Sequence, residues 1–410
     1  MNVEALPAPP RESGARFSTT GTGLTGLLVL MFGAFIGLGL LDGAGGVLWT
    51  DVLDAFGVSK GVFGLLSGLG LALSFPILIF GGRLAERFDK RSLLALSFAG
   101  MGVASVGLLT GAGGIAVFAL CLILRAASIT LLDLSNNALA MDYEQAANRH
   151  IMSPLHAGFS GGTMLGAGVV WIALAAGGGF RTVYLGLAAI FALAVIGTLR
   201  LRRTVVLPHH PPDEREAPTV ALSLLRRHDI RWFAAITGLA FAGESLISQW
   251  AGIYLREERD FSARIGVFAI AAYGLAMFLG RVTNGPITAR LGDRGAILVQ
   301  GGIALLGGVL IASGGPAALA ILGCGLAGLG LAGTGPTALS MAGAAVPGAT
   351  GAASGATLAG GYLGFAGAPV LAGLVASLFS ARAVMAGIAL AGFLIIAMAL
   401  RIPASRTQSD

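Results

Sequence analysis

Twelve long apolar segments follow one another along this sequence, and they limit its fold more than any other feature. Each is long enough to cross the ~30 Å hydrocarbon layer of a bilayer as an α-helix. We therefore predict an all-α membrane protein with twelve transmembrane helices. The segments cover approximately residues 22–49, 61–82, 92–111, 115–140, 154–177, 182–200, 232–255, 264–286, 295–314, 316–343, 350–378 and 382–400.

The composition supports a bilayer as the solvent of this chain. Its mean hydropathy is +0.84, and 11% of its 410 residues are charged, which is too apolar for a soluble domain of this length. The 65 glycines suit close helix packing in lipid. Cys121 and Cys324 lie within apolar segments, so we expect no disulfide framework. No apolar run precedes the first segment, so we expect no cleaved signal peptide.

One long polar stretch divides the segments into two sets of six. Residues 201–231 include RRTVVLPHHPPDEREAP, a composition typical of a linker. We place one six-helix bundle at 22–200 and the other at 232–401. Residues 1–21 and 402–410 are predicted to be polar tails.

The positions of Lys and Arg predict that both termini and the linker are cytoplasmic, because basic residues accumulate in cytoplasmic loops. Of the 26 basic residues, Arg125 lies within a span, six fall on the external side and the other 19 fall on the cytoplasmic side. The external side holds Lys60, Arg181, Arg256, Arg259, Arg264 and Arg382.

The two halves repeat parts of their sequence. GGRLAERFDKR at 81–91 follows the second segment, and NGPITARLGDR at 284–294 follows the eighth. Upstream of these loops, GVF at 61–63 recurs at 266–268. Such repeats predict pseudo-symmetric halves with a solute path between them.

The fourth segment carries an unusual set of polar residues, within CLILRAASITLLDLSNN at 121–137. Counting 100° per residue from Arg125, Asp133 falls at about 80°, Asn136 at about 20° and Asn137 at about 120°. All four share roughly one third of the helix surface. A charge at bilayer depth costs at least ~2.5–3.5 kcal/mol. We therefore predict that this face borders a polar cavity through which solute and protons pass.

Asp133 is a candidate for proton coupling, because a carboxyl group in a low-dielectric site can load and release a proton. The alternative is that Asp133 is a structural acid held by Arg125 or Asn136.

Arg125 cannot deprotonate and needs a partner. It lies about 12 Å from Asp133 along the helix axis, which favours a partner on another helix or an anionic group of the substrate.

Asp42 and Glu244 occupy matching places in the first span of each half. Each is a candidate for proton coupling together with Asp133. The alternative for each is a helix kink or a cap satisfied by neighbouring Ser and Gly groups.

Four further residues are substrate-binding candidates: Asn136, Asn137, Gln249 and Trp250. Amide groups offer donors and acceptors to a hydroxylated solute, although Asn side chains can equally hold helices together in lipid. Trp250 could stack on a ring, or belong to an interfacial aromatic belt. For His156, at the start of the fifth span, a satisfied loop contact is the better interpretation.

The two repeated loops predict a cytoplasmic gate. We expect Glu86 and Asp293 to pair with nearby arginines in one conformer and to release them in the other. The alternative is that the basic residues only set topology. The gate candidates are Gly82, Glu86, Arg87, Arg91, Arg281, Arg290, Asp293 and Arg294.

Residues 82–91 resemble the loop between spans two and three of the major facilitator superfamily, Gly-x-Leu-Ala-Asp-Arg-x-Gly-Arg-Lys/Arg. Glu86 replaces the acid of that signature conservatively, and Asp89 replaces its second glycine. The resemblance implies the major facilitator fold, with two six-helix bundles that alternate access to a central site. The matching positions are Gly82, Leu84, Ala85, Arg87, Lys90 and Arg91.

Four stretches resemble the fucose-permease-like branch of bacterial permeases and its uncharacterised relatives. They are LLDLSNNALAMDYEQ, HIMSPLHAGFSGGTMLGAG, GESLISQWAGIYLR and GRVTNGPITARLGDR. The resemblance implies a bacterial inner-membrane protein in which Asp133 couples protons. Asp42 is the nearest match to a second acid of that branch, displaced by about one helical turn.

These observations predict a secondary active transporter that takes up a sugar or related polar metabolite by proton symport. One alternative is a proton-coupled antiporter that exports drugs or metabolites. Another is a non-transporting receptor or assembly protein. The sequence has no GxxxxGK[ST], HExxH or CxxC, so we expect no ATP hydrolysis, metal, cofactor or enzymatic activity. The expected partners are lipid, a small solute and protons, without nucleic acid, and we expect a monomer.

Overall fold

The computed structural model describes residues 21–147, 151–202, 223–346 and 350–402, and helices dominate these ranges. The predicted tails and most of the predicted linker lie outside the described residues. The helices are α1 (Gly21–Phe56), α2 (Lys60–Arg87), α3 (Lys90–Thr110), α4 (Gly114–Ala147), α5 (Met152–Ala175), α6 (Phe180–Arg202), α7 (His228–Glu257), α8 (Ala263–Ala312), α9 (Ala317–Ala332), α10 (Thr334–Ala345), α11 (Thr350–Leu378) and α12 (Ala381–Ala399).

The longest helix, α8, is two membrane crossings joined at Gly292. A continuous helix of 50 residues would extend about 75 Å, more than twice the ~30 Å hydrocarbon layer. The chain breaks at Gly292, where φ is 68° and ψ is 163°, a conformation that favours glycine. Helices α9 and α10 together form one further crossing, interrupted at Gly333.

Among the described residues, eleven helical stretches are long and apolar enough to cross a bilayer. Because one of them is α8, which counts as two, twelve crossings result. The predicted all-α membrane fold is therefore confirmed, and the prediction of separate eighth and ninth spans is correct.

The helices pack as two bundles. In the first, α1 packs on α5, α3 lies between α4 and α6, and α2 contacts α4. In the second, α8 packs on α9 and α12, while α7 packs on α11 and α12. Four helix pairs join the bundles: α1 with α7, α1 with α8, α2 with α11, and α5 with α8. A site between the bundles is therefore bordered by helices from both halves.

The bundles approach most closely at the end that carries the α1–α2 and α7–α8 connections, which we name the sealed end. A Cβ atom on Gly252 of α7 would lie 2.0 Å from the carbonyl oxygen of Gly46 in α1. A Cβ atom on Gly64 of α2 would lie 2.3 Å from the carbonyl oxygen of Pro369 in α11. These contacts require glycine, because any side chain would push the helices apart.

Charged and aromatic side chains complete the sealed end. Asp51 of α1 forms an ion pair with Arg256 of α7, and the Lys60 Nζ atom lies 2.6 Å from the Glu257 Oε2 atom. The rings of Phe63 and Trp250 meet across the halves, with centroids 5.7 Å apart. These contacts therefore hold α1 and α2 of the first bundle against α7 of the second.

The close approach of α1 and α7 gives a direct prediction. Gly252→Ala places a methyl group against the Gly46 carbonyl and should destabilise the sealed end by about 1–3 kcal/mol, the usual cost of overpacking. The thermal midpoint of the purified protein in detergent should fall.

The matched control for Gly252→Ala is Gly266→Ala. Its Cβ atom would meet only Val47 of α1, at an ordinary 3.9 Å. Equal thermal midpoints for the two variants would contradict the packing that we describe.

Candidate functional site

A cavity of about 200 Å³ lies between the two bundles, midway along their helices. Its wall is formed by side chains of α1, α2, α4, α5, α7, α8 and α11. Both halves therefore contribute to one central site. Six residues singled out from the sequence line it: Asp42, Arg125, Asp133, Glu244, Gln249 and Arg281.

Asp133 connects the two halves. Its Oδ2 atom accepts a hydrogen bond from the Tyr362 hydroxyl group of α11, at 2.6 Å. Its Oδ1 atom accepts a second hydrogen bond from the Asn137 amide, at 3.0 Å and one turn further along α4. The carboxylate thus has one partner in its own bundle and one in the opposite bundle.

Glu244 and Arg281 form the second charged group of the cavity. The Arg281 Nη2 atom lies 3.3 Å from the Glu244 Oε2 atom. The Nη1 atom donates to the Ser160 hydroxyl group at 2.9 Å and to the His156 carbonyl oxygen at 3.2 Å. Because Ser160 and His156 belong to α5, Arg281 links the second bundle to the first. It lies in the cavity wall, although the sequence suggested a gate at the loop.

Arg125 lies in the cavity wall on α4 without an ion-pair partner. No described acidic side chain approaches it within 4 Å, and its buried Nε atom has no hydrogen-bond acceptor. The guanidinium group lies over the Trp49 ring, 5.6 Å from its centroid. Asp42 of α1 lies within electrostatic range of Arg125 but forms no ion pair with it among the described side chains.

The remaining substrate candidates occupy different environments. Gln249 lines the cavity and donates to the Ser245 hydroxyl group at 2.8 Å. Asn136 is fully buried and donates to the Met31 carbonyl oxygen at 3.1 Å, so it joins α4 to α1. Trp250 is fully buried at the sealed end, and its only aromatic contact among the described residues is with Phe63.

The charged residues of the two repeated loops lie at the other end, which we name the signature-loop end. Arg91 contacts Asp89 at 3.3 Å, and Arg294 donates to the Leu400 carbonyl oxygen at 3.1 Å. The first contact lies within the first bundle and the second lies within the second bundle, so neither joins the two bundles. Arg87 and Arg290 are exposed, and Asp293 forms no ion pair among the described side chains. The side chains of Gly82 and Glu86 lie outside the described part, so the gate remains a prediction.

The sequence did not identify several residues of the wall. Aromatic side chains form much of it: Phe35, Phe159, Phe241, Tyr362 and Phe365. Tyr362 carries the one polar side chain in GGYLGFAG at 360–367, which was a signal, but its partner on α4 could not be predicted from the spacing. His156 also lines the cavity, with its ring 4.8 Å from that of Phe35.

The chemistry of the cavity is that of a binding site with exchangeable protons. Three carboxyl groups and two guanidinium groups face a small space whose wall is otherwise mostly apolar. The described residues contain no group of three or more His, Cys, Asp or Glu side chains that could hold a metal ion. Such a site can bind a small solute and exchange a proton at a carboxyl group.

Similar proteins are membrane transporters. The uncharacterised transporter y4wD of Sinorhizobium fredii is 27% identical over 299 residues, which are 71% of this chain and 75% of that protein. A crystal structure of a mutant of the nucleoside transporter NupG superposes with a TM-score of 0.74 at 16% identity, covering 91% of this chain and 99% of NupG. The outward conformation of FucP gives 0.61 at 15% identity, covering 91% of this chain and 97% of FucP.

The structural likenesses show the shared fold. The sequence model of the Major Facilitator Superfamily matches residues 25–366, a range that includes ten of the twelve crossings and every residue that lines the cavity. The chain belongs to the major facilitator superfamily.

Proposed function

We propose that this secondary transporter moves a small solute across the bacterial inner membrane in symport with protons. Family membership makes the chain a transporter and not an enzyme. The coupling ion, the direction and the solute are our proposal. Support comes from the cavity, which gathers Asp42, Asp133 and Glu244 between bundles that can rock against each other.

The observation that carries the proposal is the hydrogen bond between Asp133 and Tyr362. It joins α4 of one bundle to α11 of the other beside the cavity. A hydrogen bond to an ionised carboxylate is roughly twice as strong as one between neutral groups. The protonation state of Asp133 therefore changes how strongly the two bundles attract each other at this level.

This dependence suggests a transport cycle. The basic loops predict that the signature-loop end is cytoplasmic, so the sealed end is external in the conformation described. Because the hydrogen bond between Asp133 and Tyr362 is formed in this conformation, ionised Asp133 stabilises it. Protonation of Asp133 weakens the bond between α4 and α11 and shifts the equilibrium toward the alternative conformation.

The resemblance to the fucose permease favours a sugar or a related polar metabolite as solute. The many apolar and aromatic side chains of the cavity wall favour the second candidate function, proton-coupled export of an apolar metabolite or drug. Both functions use the same proton site. Solute flux in inverted vesicles under an imposed pH gradient distinguishes them, because the gradient drives a symported and an antiported solute in opposite directions.

Replacement of Asp133 tests the coupling. The reporter is a pH-sensitive dye inside proteoliposomes that receive sugars, organic acids and drugs in turn. Wild type should move protons with at least one of these solutes. Asp133→Asn should still bind that solute in a thermal-shift assay but should move no protons with it, because an amide cannot release a proton.

Tyr362→Phe is the matched variant for Asp133→Asn. It removes the hydrogen bond and keeps the ring, so proton movement should persist at a turnover lower by about 10- to 100-fold, the effect of a hydrogen bond worth ~1.5–3 kcal/mol. Proton movement at the wild-type rate in Asp133→Asn would contradict the proposal.

The sealed end gives a second prediction. Asp51→Asn removes a partly exposed ion pair between the bundles, worth about 0.2–1 kcal/mol. Labelling of a Leu71→Cys reporter in the cavity by an external maleimide should then rise by up to roughly fivefold. Both native cysteines are buried, so the background labelling is low.

The charge-swapped pair Asp51→Arg with Arg256→Asp should restore the slow labelling. Arg264→Gln is the control, because Arg264 is exposed at the same end and forms no ion pair among the described residues. Unchanged labelling in Asp51→Asn would show that this contact does not control access.

A further inference from the structure

We infer that Arg125 is an anion-binding subsite and that the transported solute is a small monocarboxylate with an apolar or planar body. This inference rests on the proposed function, because it assigns the substrate class of the same cavity.

The two arginines of the cavity differ in their bonding. Arg281 has three polar partners, namely Glu244, Ser160 and the His156 carbonyl oxygen. Arg125 has neither a hydrogen bond nor an ion pair among the described residues, and its Nε atom is buried. Within the described cavity wall, Arg125 is therefore the arginine that is available to a ligand.

The depth of Arg125 makes this availability significant. It lies near the middle of a membrane-crossing helix, where an uncompensated charge is unfavourable. Water or an anion must therefore solvate the guanidinium group from the cavity. The planar guanidinium fork matches a carboxylate, which it can bind through two parallel hydrogen bonds.

The groups around Arg125 hold it in place without neutralising it. Trp49 of α1 packs against one face of the guanidinium group. Asp42 of α1 and the buried Tyr184 of α6 lie within electrostatic range. Neither of them bonds to Arg125 among the described contacts, so the fork remains open to a ligand.

The same charges limit the charge of the ligand. Arg281 is neutralised by Glu244, whereas Asp42 and Asp133 also face the cavity. A dianion such as a phosphate monoester would meet one free cation and two further carboxyl groups. A monoanion is better matched, and loading a proton at Asp133 reduces the remaining repulsion.

The wall beyond Arg125 indicates the body of the solute. Five rings line the same cavity as Arg125 and Asp133, those of Phe35, Phe159, Phe241, Phe365 and Tyr362. Arg125 and Asp133 lie about 12 Å apart along α4. A carboxylate at Arg125 would therefore place an apolar or planar body against aromatic faces, where dispersion and ring stacking stabilise it.

The test compares acids with neutral isosteres on the purified full-length protein at neutral pH. One pair of probes is benzoate and benzamide, and the other is galacturonate and galactose. Comparison within a pair tests the charge of the solute, and comparison between pairs tests its uncharged body. Thermal shift and intrinsic tryptophan fluorescence measure binding. We expect benzoate to bind at least tenfold more tightly than benzamide, and both acids more tightly than their neutral partners.

Variants of Arg125 provide the specific control. Arg125→Gln should weaken benzoate binding by about 10- to 100-fold, the effect expected for a charged hydrogen bond, and should remove the preference over benzamide. Arg125→Lys keeps the positive charge but not the planar fork, so its affinity for benzoate should lie between those of wild type and Arg125→Gln. Arg264→Gln removes an exposed arginine and should bind like wild type. Trp49→Phe should remove most of the benzoate-induced fluorescence change, because Trp49 contacts Arg125.

The outcomes separate this inference from the proposed function. If neither acid binds more tightly than its neutral partner, or if Arg125→Gln keeps the preference, the anion subsite is wrong. If protons move with a neutral solute and this movement requires Asp133, the assignment of a monocarboxylate as solute is wrong and the proposal of proton coupling stands. Tight Arg125-dependent binding of benzoate without proton movement would support the subsite and overturn the coupling.

Discussion

The structure depends on the location of a few charged side chains, which lie at bilayer depth and face a cavity between two bundles. In lipid, each of these charges would be costly. In the cavity, Glu244 has Arg281 as its partner, and Asp133 has Tyr362 and Asn137. Most of these contacts cross from one helix to another, so the charges also fix how the bundles meet. The sealed end holds the bundles together where glycines permit the closest approach.

Much of the fold could be predicted from the sequence because its cause is local. A run of apolar residues long enough to cross a bilayer has few structural alternatives. The face of α4 that carries Arg125 and Asp133 follows from the helical repeat, and both residues do line one cavity. The matching positions of Asp42 and Glu244 also brought both acids to the same site, since the two halves repeat.

The remainder depended on contacts between distant segments. Asn136 shares the helical face of Asp133 in projection, yet it is buried against Met31, because the position of α1 decides which part of that face is open. Trp250 was a candidate for stacking on a solute ring or for an interfacial belt, and in the structure it packs on Phe63 at the sealed end. Arg281 was assigned to a gate by its nearness in sequence to the repeated loop, whereas its length carries it into the cavity. Spacing along one chain contains no information on these pairs.

The central claim is that the charged cavity opens alternately to the two sides, and distances between spin labels test it most directly. One pair of labels would join Ala112 to Arg264 at the sealed end, and a second would join Phe88 to Leu291 at the signature-loop end. All four residues are exposed. The account predicts two populations in which one distance lengthens as the other shortens, with Asp133→Asn changing their ratio. A single fixed distance at both ends, unaffected by pH or by Asp133→Asn, would contradict it.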